Sequence, residues 1–458
     1  MLQLNDCMRN TNPEFGSHDP SMMYDPISGK YYSYSTDVFM PSCGLKDKIG
    51  IPVRVSEDLV NFKYIGTVLS PNAIREARDN GEHSPTEGFW APFAEYVNGE
   101  YRLYYSATKA FGSWESRIWL AVSERPEGPF ENRGVVVDTW NTPYTSPNGI
   151  DPHIIWAENI PYLVYGSFFG GIYLKELETQ TGLSAGSVTD RGVCISRKPT
   201  GQKLDGPEGA SVIYHSETGF YYLFQSYGWL GDTYDIRVGR SRNVKGPYVD
   251  ISGRSLVGES PGIKLANSYC FVSKHPEVME HPEKADAGCA GKDNEEAECH
   301  SGWKWAGFRG PGHGVPFYDP VSGEYYFVHH IRDGAEIYRQ YDRAEKRNNY
   351  RMHYLMVRRM YFTKDGWPVF SPEPFTGTEK RVERSVKIPA GQERQWEIIF
   401  FDDSGNEQKK SEFVTLARDS VLLSRGILIS GWDFENGKEA LLLSGIDELG
   451  VAYWGKYR

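Results

Sequence analysis

The chain has 458 residues with 50 basic and 61 acidic side chains, which gives a formal net charge of −11. An acidic surface repels nucleic-acid phosphates and anionic lipid, so neither is expected as a partner. No apolar run reaches the roughly 20 residues that a membrane-spanning helix needs. The start, MLQLNDCMRN, lacks a basic segment followed by an apolar core. No signal peptide is therefore predicted, although a mature secreted protein would look the same.

Strand patterns dominate the sequence from beginning to end. Runs such as YYSYSTDVF, YRLYYSAT and FYYLFQSYG are rich in aromatic residues and are bounded by Gly, Pro, Asn or Asp. Asn98-Gly99 is a two-residue hairpin signal. No long window repeats its apolar residues with the helical period of 3.6. The chain is therefore predicted to be an all-β protein.

One hairpin pattern occurs five times along the chain. The copies read HDPSMMYDPISGKYYSYS, FWAPFAEYVNGEYRLYYS, IDPHIIWAENIPYLVYGS, PEGASVIYHSETGFYYLF and GHGVPFYDPVSGEYYFVH. Aligned on the aromatic residue before each turn, they share an equivalent position that is occupied by Asp19, Ala91, Asp151, Gly209 and His313. Trp90 and Glu208 lie one residue before that position in their copies. Such repeats are typical of radial folds, in which one strand of each unit lines a central channel.

The repeated part is predicted to form a β-propeller over residues 1–375. The gap between the fourth and fifth copies is the longest, which predicts an insertion at about 261–308. After Phe375 the repeat ends, and short strands such as QWEIIFFDD and EALLLSG follow at close intervals. They predict a small β-sandwich or barrel over residues 376–458.

Three carboxylates in this register indicate cleavage of a glycosidic bond. In a propeller, Asp19, Asp151 and Glu208 would meet at one mouth of the channel. One carboxyl must be protonated to serve the leaving oxygen, and another must be ionised to activate water or attack carbon. A third raises the pKa of its neighbour through repulsion between like charges. Asp-Pro pairs are also common turn openers, as at Asp25 and Asp319, so the shared register is what distinguishes Asp19 and Asp151.

The segments HDPS, FWAP, IDPH, GPEGAS and PGHG, in this order, resemble glycoside hydrolase family 43 and most of all its arabinanases. The resemblance covers about residues 14–375, and the trailing β-domain is similar to that of the two-domain endo-arabinanases. It implies a five-bladed β-propeller and inverting hydrolysis of α-1,5-linked L-arabinofuranose in plant arabinan. It also implies that Asp19 is the general base, Glu208 the general acid and Asp151 the residue that tunes and orients the acid.

The same resemblance implies a metal site and a sugar-binding surface. The arabinanase histidine that matches His313 belongs to a site, usually occupied by calcium, that lies on the propeller axis and is completed by water. Gly314 departs from the small polar residue that is common there. Trp90 is expected as a sugar platform, and Ser167 and Phe168 as substrate contacts. Packing is the alternative role for the two aromatic rings, and a hydrogen-bonded core residue is the alternative for His313.

Two other functions stay open at this point. Exo-acting α-L-arabinofuranosidases and β-xylosidases of the same family share the catalytic trio. Segments 69–89 and 261–308 could leave the channel open to internal bonds or restrict it to chain ends. A non-catalytic glycan-binding propeller has no need of three buried carboxylates, which are costly to desolvate. A polymer substrate leads us to expect that the chain is secreted, periplasmic or on the cell surface. The chain is also expected to be a monomer.

Overall fold

The computed structural model describes residues 16–37, 50–78, 88–274, 306–334, 353–382, 394–403, 405 and 407–458. Almost all of their regular structure is β-strand, and the prediction of an all-β protein is confirmed. The helical elements of this part are two short α-helices and one 3-10 turn, at Pro71–Arg78, Val421–Arg425 and Val272–Lys274. Neither α-helix is long and apolar enough to cross a membrane.

The first four sheets each contain four antiparallel strands that follow one another along the chain. Sheet 1 contains β1 (Ser21–Asp25), β2 (Lys30–Tyr34), β3 (Pro52–Ser56) and β4 (Lys63–Thr67). Sheet 2 contains β5 (Gly88–Val97), β6 (Glu100–Thr108), β7 (Ser116–Ser123) and β8 (Glu131–Asp138). Sheet 3 contains β9 (His153–Ala157), β10 (Ile160–Tyr165), β11 (Ile172–Glu176) and β12 (Val193–Ser196). Sheet 4 contains β13 (Glu208–His215), β14 (Phe220–Ser226), β15 (Ile236–Ser241) and β16 (Ile263–Ala266).

Sheets 5 and 6 have six strands each. Sheet 5 contains β17 (Tyr269–Cys270), β18 (Phe308–Asp319), β19 (Glu324–Asp333), β20 (Tyr354–Phe362) and β21 (Pro368–Phe370). Its sixth strand is β24 (Lys409–Lys410), which comes from the C-terminal part of the chain and pairs in parallel with β17. Sheet 6 contains β22 (Lys380–Arg381), β23 (Arg394–Phe400), β25 (Glu412–Leu416), β26 (Ile427–Asp433), β27 (Lys438–Ile446) and β28 (Ala452–Tyr457). Within the predicted insertion at 261–308, β16 and β17 belong to sheets 4 and 5, while residues 275–305 lie outside the described residues.

The hairpins of the repeat are closed by side-chain hydrogen bonds at their turns. Asp25 accepts bonds from the N–H groups two and three residues later, both at 3.0 Å. Asp319 does the same in the fifth copy, at 3.1 Å each. This local bonding is why Asp favours turns. The interpretation of these two aspartates as turn residues is therefore confirmed.

The first strand of each hairpin copy packs against those of neighbouring copies. These strands are β1, β5, β9, β13 and β18. Strand β1 contacts β5 and β18, and β13 contacts β9 and β18. The start of each of these strands therefore lies near the starts of its neighbours. This packing brings residues that are far apart in sequence to one place in the molecule.

Buried ion pairs fix sheet 6 against the end of the repeated part. The Nζ of Lys456 in β28 lies 3.1 Å from Asp433 Oδ1 and 2.8 Å from Glu435 Oε2. It also contacts the carboxylate of Glu373, which follows β21. The side chains of Lys456, Asp433 and Glu373 are buried. Buried charges are tolerated only when they are paired, so this lysine cluster depends on all its members.

Candidate active site

The backbone repeats in the register that the sequence predicts. The φ angles are 47° at Asp19, 43° at Ala91, 60° at Asp151, 59° at Gly209 and 44° at His313. Residues other than glycine seldom adopt this left-handed conformation, and strain of this kind concentrates at functional sites. The five equivalent positions are thus one structural feature built five times, at the starts of the packed first strands.

Asp19 is buried and receives a hydrogen bond from Thr36 Oγ1 to its Oδ2 at 2.6 Å. Two imidazole nitrogens approach the same carboxylate: His18 Nδ1 lies 2.9 Å from Oδ2, and His313 Nδ1 lies 3.0 Å from Oδ1. Burial favours the neutral acid, but the charges and hydrogen bonds of His18 and His313 outweigh it and hold the pKa of Asp19 well below its usual value. Asp19 is therefore an ionised carboxylate.

Glu208 is the opposite case. Burial and the nearby charge of Asp151 raise its pKa to about 7. Ser167 Oγ donates a hydrogen bond to Glu208 Oε2 at 2.9 Å, and the Tyr234 hydroxyl bonds the same carboxylate, both of which favour the ionised form. Burial and repulsion are the larger effects, so this carboxyl carries a proton close to neutral pH.

Asp151 interacts electrostatically with both of these groups. Burial raises the pKa of Asp151, His313 lowers it, and the charge of Asp19 raises it again, so that the net shift is upward. Its Oδ2 accepts a hydrogen bond from the N–H of Gly209 at 3.0 Å. That bond ties Asp151 to the residue that follows Glu208, and it fixes the two carboxylates relative to each other.

The one-residue offset of Glu208 has a steric cause. A Cβ at residue 209 would lie only 2.9 Å from the Cα of His313 and 3.0 Å from its Cγ. No side chain fits at the equivalent position of the fourth copy, so it is occupied by Gly209. The carboxylate of this copy is therefore supplied by the preceding residue.

His313 lies among the three carboxylates. Burial alone would lower its pKa, but the facing charges of Asp19 and Asp151 raise the pKa of the imidazole to about 9. Gly314, which replaces the small polar residue common in the resembling arabinanases, also has a structural reason. A Cβ at this position would lie 2.1 Å from a ring carbon of Phe327. Packing in the fifth sheet thus requires the glycine, whatever occupies the neighbouring position.

The residues expected to contact sugar lie close to these groups or on the same strand starts. Trp90 is half-buried, and its ring centroid is 6.3 Å from that of Phe111, which is 71% exposed. Phe168 is half-buried with φ of 50°, and its N–H donates to the carbonyl of Pro207 at 2.8 Å. Ser167 contacts Glu208 directly, as described above. The platform role of Trp90 and the substrate contact of Phe168 stay predictions.

Some groups of the site were not anticipated from the sequence. Thr36 bridges two copies, because its Oγ1 donates to Asp19 and accepts from the N–H of Ala91 at 2.8 Å. Tyr234 reaches Glu208 from the segment before β15. His330 receives a hydrogen bond on Nδ1 from the N–H of Asp19 at 3.2 Å. Of the missed residues, His18 had a signal, since it precedes Asp19 in the HDPS segment.

The site therefore holds an ionised carboxylate, a carboxyl that is protonated close to neutral pH and a third acid that interacts with both, near one imidazole. Asp19 and Asp151 are buried, and Glu208 is half-buried. This is the combination that acid–base hydrolysis of an acetal requires. The groups come from four different copies of the repeat, and their different pKa shifts follow from their different neighbours.

Comparison with known proteins bears on the same region. The profile of the glycosyl hydrolases family 43 matches residues 11–287. An extracellular endo-α-(1→5)-L-arabinanase from Thermotoga petrophila is 27% identical over 96% of this chain and 93% of its own. Extracellular endo-α-(1→5)-L-arabinanase 2 from Bacillus subtilis is 26% identical over 96% of this chain and 93% of its own length. The crystal structure of an endo-1,5-α-L-arabinanase from Thermotoga petrophila matches with a TM-score of 0.72 and 24% identity, over 96% of this chain and 98% of that one.

Proposed function

The chain belongs to the glycosyl hydrolases family 43, and we propose that it is an inverting endo-arabinanase that cleaves α-1,5-linked L-arabinofuranose bonds in arabinan. The observation that carries this assignment is the contrast between Asp19, which is ionised, and Glu208, which is protonated near neutral pH. The two relatives that cover nearly the whole chain are both named as endo-acting arabinanases, which supports this substrate.

In the proposed mechanism, Asp19 is the general base. It accepts a proton from a water molecule, whose oxygen attacks the anomeric carbon on the face opposite the departing sugar. Glu208 is the general acid and donates its proton to the glycosidic oxygen, so that the leaving group departs as an alcohol. Asp151 acts on Glu208 by raising its pKa and by fixing the Gly209 backbone. One displacement inverts the configuration at the anomeric carbon.

We propose that sheets 1 to 5, apart from β24, are the blades of a five-bladed propeller within residues 1–375. Packing of the first strands against one another supports this arrangement. Residues 376–458 would then form a C-terminal β-sandwich or barrel domain built on sheet 6. Trp90, Ser167 and Phe168 would line the substrate-binding surface at the channel mouth, where the exposed ring of Phe111 adds apolar area for stacking on sugar.

The proposed place of action is outside the cell. Both relatives that cover nearly the whole chain are named as extracellular proteins. A polymeric substrate cannot enter a cell intact, which favours the same location. We propose that the chain acts there as a monomer.

A calcium ion bound by His313 is the proposed cofactor. The donor set fits a cation, because Asp19, Asp151 and Glu208 all act electrostatically on one imidazole. The pKa values of Asp151 and Glu208 are raised by burial and, after it, by a neighbouring carboxylate. Calcium prefers oxygen ligands, which water and carboxylates supply. When bound, it would supply a fixed positive charge that favours the ionised form of Asp19.

Removal of calcium is expected to lower activity. Treatment with a chelator should reduce arabinan hydrolysis, and added Ca²⁺ should restore it. His313→Ala should weaken Ca²⁺ binding at least about tenfold in calorimetric titrations, since it removes the protein nitrogen at the site. A metal-free preparation with full activity would contradict the cofactor proposal without affecting the roles of the carboxylates.

The products formed early in the reaction test endo action. On debranched arabinan, we expect a ladder of arabino-oligosaccharides before arabinose accumulates, with anomeric inversion detectable by NMR. Arabinose as the sole early product would instead assign the chain to the exo-acting members of the family. If the chain cleaved neither arabinan nor arabinofuranosides, the proposed function would be ruled out.

The basic limb of the pH profile should report on Glu208. Activity requires its protonated form, so activity is expected to fall as the pH rises through a value of about 7. Ser167→Ala removes a hydrogen bond that stabilises the ionised carboxylate, so it should raise the pKa of Glu208 and move the basic limb to higher pH. Ser424→Ala, in the C-terminal helix, is the matched control and should leave the profile unchanged. A basic limb that stays in place or moves downward in Ser167→Ala would show that another group controls it.

A further inference from the structure

Three aromatic rings from three different connections meet at one end of sheets 2 and 3. Trp114 belongs to the connection between β6 and β7, Tyr144 to that between β8 and β9, and Phe169 to that between β10 and β11. The ring centroid of Tyr144 lies 5.2 Å from those of both Trp114 and Phe169, which are 5.9 Å from each other. All three pairs meet edge to face, an arrangement that aromatic rings prefer. We call these residues the aromatic cluster.

The aromatic cluster lies at the same end of the sheets as the proposed catalytic residues. Neighbouring strands in sheets 2 and 3 are antiparallel, so the connections that leave β6, β8 and β10 lie where β5 and β9 begin. Asp151 directly precedes β9, and Ser167, which donates to Glu208, lies two residues before Phe169. Consecutive residues advance by at most about 3.6 Å, so Phe169 is within about 7 Å of Ser167 along the chain.

Hydrogen bonds between the connections hold the aromatic cluster in place. Trp114 Nε1 donates to the carbonyl oxygen of Thr142 at 2.9 Å. The N–H of Gly170 donates to the carbonyl oxygen of Ser146 at 3.2 Å, and a Cβ at residue 170 would lie only 2.7 Å from the backbone nitrogen of Pro147. The three connections are therefore closely packed against one another. A surface that is ordered before binding loses less conformational entropy when it binds.

The aromatic cluster is open to solvent. Tyr144 is 64% exposed, and Trp114 and Phe169 are half-buried. Among the described residues, Phe111 and Tyr144 are the two most exposed aromatic side chains, and both lie at this end of sheet 2 or 3. Phe111 is three residues before Trp114, and its ring is near that of Trp90. Exposed apolar area thus extends from the expected sugar platform to the aromatic cluster, and a grouping of this kind marks a binding surface.

We propose that the aromatic cluster is a further sugar-binding subsite, which holds an arabinosyl unit of the substrate chain beyond the two units joined by the scissile bond. Tyr144 is its stacking ring. A furanose ring can place its C–H groups on an aromatic face while its hydroxyl groups stay in contact with water. The inference rests on the proposed function, and it implies that the chain prefers arabinan and longer oligosaccharides over short ones.

Binding of arabino-oligosaccharides to the Glu208→Gln chain tests the subsite without turnover. In calorimetric titrations, adding Tyr144→Ala should weaken the affinity for α-1,5-arabinohexaose by roughly three- to tenfold, the contribution of one aromatic contact. The loss should be larger for arabinohexaose than for arabinotriose, because a short ligand fills fewer subsites. Tyr144→Phe keeps the ring and should retain most of the affinity. The matched control is Tyr318→Ala, which changes a 47% exposed tyrosine at the opposite end of sheet 5 and should bind like the parent.

Two results would overturn the subsite while the proposed function stands. One is equal arabinohexaose affinity with and without Tyr144→Ala. The other is an equal loss for both ligand lengths, which would assign the ring to packing of the connections. Circular dichroism checks the fold, and Tyr144→Leu, which keeps an apolar side chain, replaces Tyr144→Ala if that variant is unfolded. Absence of any oligosaccharide binding would also contradict the subsite, and cleavage of arabinan by the parent chain then shows whether the proposed function fails with it.

Discussion

Glu208→Gln is expected to lower kcat/KM on debranched arabinan by roughly 10²–10⁴-fold, the range that general acid catalysis contributes. The amide has nearly the shape of the acid but has no proton of suitable acidity to give to the glycosidic oxygen. The sugar would then have to leave as an alkoxide. The measurement is the initial rate of reducing-end formation on the polymer, compared with that of the parent chain.

The leaving group separates loss of acid catalysis from damage to the site. A nitrophenol leaving group departs without protonation. Glu208→Gln should therefore lose far less activity on an arabino-oligosaccharide that carries this leaving group than on arabinan. Glu176→Gln changes an exposed glutamate at the end of β11 and is the matched control. Near-parental turnover of arabinan by Glu208→Gln would rule out Glu208 as the acid. Equal losses on both substrates would point to a structural role instead.

The sequence is informative about this site because the repeat sets a common register. Asp19, Asp151 and His313 could be aligned from the hairpin turns alone, and in the structure all three share a left-handed backbone conformation. The offset of Glu208 could not be understood in the same way. Its cause is the close approach of His313 to Gly209, and a contact between two copies is visible only in three dimensions.

Other parts of the site depend on contacts that carry no local pattern. Thr36 follows β2 and looks like an ordinary strand-end threonine, yet it joins Asp19 to the second copy. His330 is one of two adjacent histidines in β19, and nothing in the sequence says which of them faces the first copy. Ser167 was expected to contact substrate from its motif, whereas the bond that the structure shows is to Glu208. The type of chemistry could be predicted, but the neighbours that set each pKa could not.

Sheet 6 presents a similar case. Its strands were predicted as part of a separate domain, and they do pair mainly with one another. No pattern in the sequence indicates that β24 extends sheet 5 or that Lys456 contacts Glu373. Lysine in the last strand of a chain is ordinarily a solvent-exposed residue. Here Lys456 is buried among three carboxylates, so its substitution should be costly.

Lys456→Met is expected to lower the free energy of unfolding by about 3–5 kcal/mol, the cost of removing one partner from a buried ion pair. Methionine fills most of the volume but removes the cation that contacts Glu373 and leaves Asp433 paired with Arg458 alone. The neighbouring carboxylate of Glu435 adds to the repulsion. Denaturant unfolding followed by tryptophan fluorescence measures the change. The matched control is Lys438→Met, since Lys438 is exposed at the start of β27.

The dependence of this loss on pH identifies its cause. Burial opposes ionisation of Asp433, but the charges of Lys456 and Arg458 outweigh it and hold its pKa at about 2. A carboxylate whose pKa is lower in the folded than in the unfolded state stabilises the fold at pH values above its unfolded pKa. This stabilisation is lost as the pH falls through the folded pKa. In Lys456→Met the pKa of Asp433 should rise from this value, so that Asp433 takes up a proton in mildly acidic solution. The penalty should then be largest near neutral pH and should shrink as the pH falls towards about 4–5. A penalty that does not change with pH would indicate lost packing rather than uncompensated charge.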